Sequence, residues 1–169
     1  MAMRSATGMT RMMGLVLALC LSAYGGGHAQ GQAPFQKLAG HWSGNGKIEL
    51  SNGTEEPIRC RAAYDVLEQQ NNLQLNIRCA SQSYSFDLRA SATYAAGAIT
   101  GTWSEATRNA AGTISGKADG DRFQVVARGP SFTASLTLVT RGNRQSVTIQ
   151  SHDAQTMVKG ASISLQRGS

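Results

Sequence analysis

The sequence is short of the residues from which most catalytic and nucleic-acid-binding sites are built. Aromatic residues make up 6% and charged residues 15% of its 169 positions, with three histidines, three cysteines and three prolines. The basic residues are spread along the chain, neither forming a run nor alternating with exposed aromatics, which argues against a nucleic-acid partner. No apolar run reaches the ~18–20 residues that span a bilayer, apart from a signal-like stretch at the extreme N-terminus, so a multi-pass helical membrane protein is excluded and no integral span is expected. A sustained 3.6-residue apolar period is also missing, which excludes a helical bundle. A chain of this length is expected to fold as one domain.

The N-terminus reads as an export signal. Arg4 and Arg11 give a basic region, Met12 to Ala23 an apolar region, and Gly27-His28-Ala29 small residues where a signal peptidase reads. Residues 1–29 are therefore expected to be removed, leaving a lead-in over 30–39 and a mature protein in the periplasm or outside the cell. Leu17 to Cys20 has the outline of a lipoprotein box, but Leu19 is too large for the position before the cysteine, so a soluble monomer is expected. After cleavage only Cys60 and Cys79 remain, an even number suited to one disulfide in an oxidising compartment.

What the sequence does have is period-two alternation, recurring from Trp42 to Leu165 with Gly, Asn or Asp between runs. Ten strands can be read, and each gives an apolar set that must share one face. Register supports them, because a two-residue hairpin loop forces paired residue numbers to an odd sum and both partners to one face. A Gly120-Asp121 turn pairs Ala118 with Phe123, Gly129-Pro130 pairs Ala127 with Phe132, and Gly142-Asn143 pairs Leu138 with Val147. The first hairpin needs an odd loop, which Asn52-Gly53-Thr54 supplies. A turn centred between Gln69 and Gln70 sets Cys60 directly opposite Cys79. The last connection, around Ser151 to Met157, has no clear register. The fold expected is all-β: an up-and-down antiparallel meander of about ten strands, closed into a barrel over 40–167 because closure removes both sheet edges.

Gly40-His41-Trp42, opening the first strand, resembles the Gly-x-Trp signature of the calycin barrels, the group that holds lipocalins, fatty-acid-binding proteins and avidin. The longer run Gly40 to Gly46 is similar to the opening of nitrobindin-type haem barrels, although Ile48 stands where that pattern has a glycine. The resemblance implies a ligand-holding barrel with a late arginine, here Arg167, packed against Trp42. The whole chain also resembles small exported bacterial proteins, a likeness that implies no activity.

Candidate sites are few. The inward set contains almost no ionisable group, so no catalytic residue, metal or cofactor is assigned and an enzyme is not expected. His41 should point outward beside inward Trp42, and Asp119-Gly120-Asp121 reads as a tight turn rather than a calcium loop. His152 in the vague last loop is the one candidate haem ligand. Arg59, Arg61 and Arg78 form a candidate anion patch, because the register that joins the cysteines sets Arg61 beside Arg78 on the outer face. Trp42 and Trp103 lie among glycines (Gly44, Gly46, Gly101 and Gly116), which fits either tight filling or room for a ligand. Ten strands, more than the eight that side chains nearly fill, favour an open apolar pocket walled by Trp42, Tyr64, Phe86, Trp103, Phe123 and Phe132. Its partner would be an apolar small molecule, lipid or fatty-acid-like. The alternatives are a filled barrel acting as a protease inhibitor or envelope-interaction protein, and a haem-binding barrel.

Overall fold

Ten antiparallel strands follow one another along the chain: β1 (Gly40–Leu50), β2 (Glu55–Leu67), β3 (Asn72–Ala80), β4 (Ser85–Ala95), β5 (Ala98–Glu105), β6 (Ala110–Asp119), β7 (Arg122–Gly129), β8 (Phe132–Arg141), β9 (Arg144–Ser151) and β10 (Val158–Arg167). The computed structural model describes residues 33–67 and 71–168. Each strand pairs with its neighbours in sequence, and β10 pairs with β1 to close the barrel, so the meander has no free edge. The residues read as a signal segment, with the cleavage expected after Ala29, lie outside the described residues. Among the described residues no helix is long and apolar enough to cross a membrane.

The alternation read from the sequence is the alternation of the wall. Trp42 faces Ala62, Cys60 faces Cys79, Ala118 faces Phe123 and Leu138 faces Val147. Cys60 and Cys79 form a disulfide across β2 and β3. Gly53, Gly120 and Gly142 have positive φ in the hairpin turns assigned to them.

One turn differs. Ala127 pairs with Ala134 and Gly129 with Phe132, so the β7–β8 turn is Pro130-Ser131, not Gly129-Pro130. Proline fixes φ near the value wanted at the second residue of a turn and is disfavoured at the third, where the expected register would have put it. The inward face is unchanged, because both registers have odd sums.

The two ends of the barrel are built differently. Because the strands alternate in direction, the turns after β2, β4, β6 and β8 share one end with the start of β1 and the end of β10. A 3-10 turn, Pro34–Lys37, precedes β1 and closes that end. Phe35 and Leu38 are 1% and 2% exposed, so the segment read as a lead-in is a plug. Phe35 stacks on Phe123 and meets Tyr94 edge-on. Trp42 donates from Nε1 to the Leu38 carbonyl at 2.7 Å. Arg167 lies over the Trp42 ring, 4.4 Å from its centroid, and its guanidinium donates to the carbonyls of Ala39 and Lys37. The packing of a late arginine on the first tryptophan is therefore present, and it clamps plug to wall.

Candidate ligand cavity at the open end of the barrel

The lumen is filled at the plugged end and hollow at the other. Inside the plugged half, Tyr64 donates to Gln145 Oε1 at 2.8 Å, and Gln145 Nε2 donates to Thr140 Oγ1 at 3.1 Å. Gln145 and Thr140 are almost fully buried, and the chain of bonds satisfies them there. Burial pushes the Tyr64 phenol above its ordinary range, against the opposing effect of its bond to Gln145, so it stays neutral.

Toward the other end a cavity of about 570 Å³ opens between the strands. Its apolar wall includes Phe86, Leu88, Trp103, Phe132, Leu136 and Ile149, with alanines from β6, β7, β8 and β10 between them. Trp103 meets Phe132 edge-on at 5.8 Å and donates to the Arg128 carbonyl at 3.3 Å. A volume of this size, walled by aromatic and branched side chains, is typical of sites for small apolar ligands.

Of the expected wall residues, Phe86, Trp103 and Phe132 line this cavity. Trp42, Tyr64 and Phe123 do not: they face inward at the plugged end, where Leu38, Gln145 and Phe35 fill the space before them. Alternation reveals which face a residue takes but not how far along the axis it lies. Leu88, Leu136 and Ile149 belong to the same inward alternation as the named aromatics and also line the cavity.

The glycines mean neither tight filling nor open room. A Cβ at Gly44, Gly101 or Gly116 would collide with the backbone carbonyl of Ser164, Ser91 or Gln124 on the adjoining strand. These positions allow strand backbones to approach. The glycines that seat Trp103 are two others: a Cβ at Gly112 would stand 2.8 Å from its Nε1, and one at Gly129 3.0 Å from its ring.

The rim of the open end is held by carboxylates. Glu105, 8% exposed, accepts from the backbone N–H groups of Asp87, Thr107 and Arg108 and from the Thr107 hydroxyl, bracing the β5–β6 turn. Burial works to raise its carboxyl pKa, but these donors outweigh it and hold the group below the usual carboxylate range. Glu56 braces the β3–β4 turn through Ser81 and Ser83, whose donors lower its pKa as well. Asp153 accepts from Thr133 N–H and ties the last loop to β8. A carboxylate saturated by backbone donors, as Glu105 is, anchors structure and has little capacity left to move a substrate proton.

The remaining sequence candidates lie outside the lumen. His152, the candidate haem ligand, is exposed and bonds Ser135 Oγ at 2.7 Å, and it is not among the residues that line the cavity. Arg61 stands opposite Arg78 as expected, and Arg78 Nε donates to Asp87 Oδ2 at 2.8 Å, which sets a carboxylate against the candidate anion patch of Arg59, Arg61 and Arg78. The strand register could not show Asp87 as a partner until β4 was placed beside β3. His41 is exposed. Asp121, in the Gly120 turn, pairs with Arg141 at 3.0 Å. Among the described residues no group of three or more metal-ligating side chains is found.

The chain matches no family model and no curated protein in sequence. Its fold is shared by solved structures. The crystal structure of Rv2717c from M. tuberculosis superposes with a TM-score of 0.63 at 10% identity, over 79% of this chain and 94% of that one. The S-type phycobiliprotein lyase CPES from Guillardia theta superposes with a TM-score of 0.59 at 8% identity, over 80% and 90%. At these identities the likeness is one of fold.

Proposed function

We propose that this chain is an exported, calycin-like, monomeric binding protein that holds an apolar small molecule in the open half of its barrel, without catalysis. The observation that carries the reading is the cavity of about 570 Å³ with its wall of Phe86, Trp103, Phe132 and aliphatic side chains. Closure at one end by the plug gives the cavity a floor, and the carboxylate-braced turns give it a fixed mouth, so little ordering entropy opposes binding. The signal-like N-terminus and the Cys60–Cys79 disulfide support export.

The test is a titration with a fluorescent fatty-acid analogue, followed through quenching of tryptophan emission. Saturable quenching is expected, and Trp103→Ala should weaken binding about tenfold while leaving the far-UV spectrum largely intact. If no apolar probe binds at tens of micromolar, in the range of weak small-molecule sites, the pocket reading fails. The filled-barrel reading, as an inhibitor or envelope-interaction protein, then takes its place.

A further inference from the structure

The mouth of the cavity carries a second feature, which lies in the register of β1 against β10. Glu49 pairs with Gly160 and Leu50 with Val158, so Lys159 is an extra residue with no partner on β1, the signature of a β-bulge. Lys159 continues the inward series of Leu165, Ile163 and Ala161 and is among the residues that line the cavity. Its ammonium donates to two neutral acceptors, the carbonyls of Asp153 at 3.2 Å and Ala154 at 2.8 Å. No carboxylate pairs with it among the described residues. An ammonium has three donors, so one remains for a ligand.

The other charged groups around the cavity differ in what they leave free. Glu105 is taken up by the β5–β6 turn, and the Asp153 carboxylate receives Thr133 N–H. Arg108, in that turn, uses one guanidinium nitrogen on Glu105, Thr107 and the Ser85 carbonyl, and its Cζ lies 4.0 Å from the Tyr84 ring centroid. Its other nitrogens carry no hydrogen bond among the described residues. β10 and the β5–β6 turn lie across the barrel from each other, so the apolar lumen opens between two cations with unused donors.

Resting on the pocket reading above, we propose that the ligand is an amphiphile with an anionic head, a carboxylate or a phosphate ester. Its chain lies among Phe86, Trp103 and Phe132 and its head on Lys159. A neutral or cationic head would leave the Lys159 ammonium without an anionic partner beside an apolar wall, where charge-assisted bonds are stronger than in water.

The experiment compares dodecanoate, dodecyl phosphate, dodecanol and dodecyltrimethylammonium as competitors of the fluorescent probe, with wild type, Lys159→Gln and Lys159→Arg. The two anions should compete at least tenfold more strongly than dodecanol, and their ranking tells carboxylate from phosphate. Lys159→Gln should abolish that preference by weakening the two anions relative to dodecanol, and Lys159→Arg should keep it. If Lys159 only tied down the loop, every competitor would shift together in Lys159→Gln, and the proposal falls. It falls equally if dodecanol matches the anions in wild type, an outcome that leaves the apolar pocket standing. Failure of all four competitors and of the probe itself overturns the pocket reading with it.

Discussion

The plugged and open halves of this barrel are made from the same strands with the same alternation, yet one is solid and the other hollow. At the plugged end Phe35 and Leu38 enter from outside the sheet and meet Trp42, Phe123 and Tyr94, and the Tyr64–Gln145–Thr140 bonds satisfy the polar groups enclosed with them. At the open end no segment among the described residues enters, alanines stand between the aromatics, and the turns are braced by Glu56, Glu105 and Asp153. The wall does not decide whether a barrel is filled; a segment outside the wall does. One end is held by apolar burial and the other by charge-assisted hydrogen bonds, so the two should answer to different perturbations.

The largest effect should come from the plug. Trp42→Ala removes a buried indole, its bond to Leu38 and the surface under Arg167, and should destabilise by about 3–5 kcal/mol in urea denaturation. Phe132→Ala, which truncates a half-exposed wall residue beside existing space, should cost less than half as much. Equal losses would dissolve the distinction between solid and hollow halves.

A somewhat smaller effect is expected from the disulfide, which staples the wall between the two ends. Replacing Cys60 and Cys79 together by alanine should cost about 3 kcal/mol, by releasing the loop constraint on the unfolded chain. Because the constraint acts on the unfolded state, both halves should remain folded and the fluorescent probe should still bind. Loss of probe binding at full secondary structure would mean that the bond shapes the cavity directly.

The smallest effect, and the sharpest test of the comparison, is in the pH dependence. Glu105 and Glu56 have folded-state pKa values below their unfolded ones, so the stability they contribute is present above the unfolded carboxylate pKa and is lost as pH falls through the folded values. Acidification should therefore loosen the open rim first. Amide exchange should quicken at Thr107 and Arg108, whose N–H groups rest on Glu105, before it does around Trp42. In Glu105→Gln the acid-dependent part of that change should shrink. Simultaneous loosening of both ends would show that the barrel yields to acid as one unit.

Several features were legible before any coordinates because they depend only on neighbours along the chain. Period two fixes which side chains share a face, and the parity of each loop carries that face from strand to strand. The pairing of Cys60 with Cys79, the odd loop at Gly53 and the outward His41 all follow. Even the misplaced β7–β8 turn preserved the inward set, since a register error of one whole step leaves parity intact. Arg167 on Trp42 was legible by resemblance, not by pattern.

Other features depend on what meets what in three dimensions, and no local rule could supply them. The segment over 33–38 has no alternation to mark it as core, and its burial follows from the barrel's having an end for it to enter. Six inward aromatics looked equivalent in the sequence, yet Trp42, Tyr64 and Phe123 are core and Phe86, Trp103 and Phe132 are cavity wall, because only closure of the sheet gives each an axial level and an opposite side. The same holds for Asp87 beside Arg78 and for the neighbouring-strand carbonyls that require glycine. Sequence determined the faces of the strands, because side-chain direction is a property of the local backbone. Tertiary structure decided which part of the lumen is empty, because an empty space is defined only by all the atoms that fail to fill it.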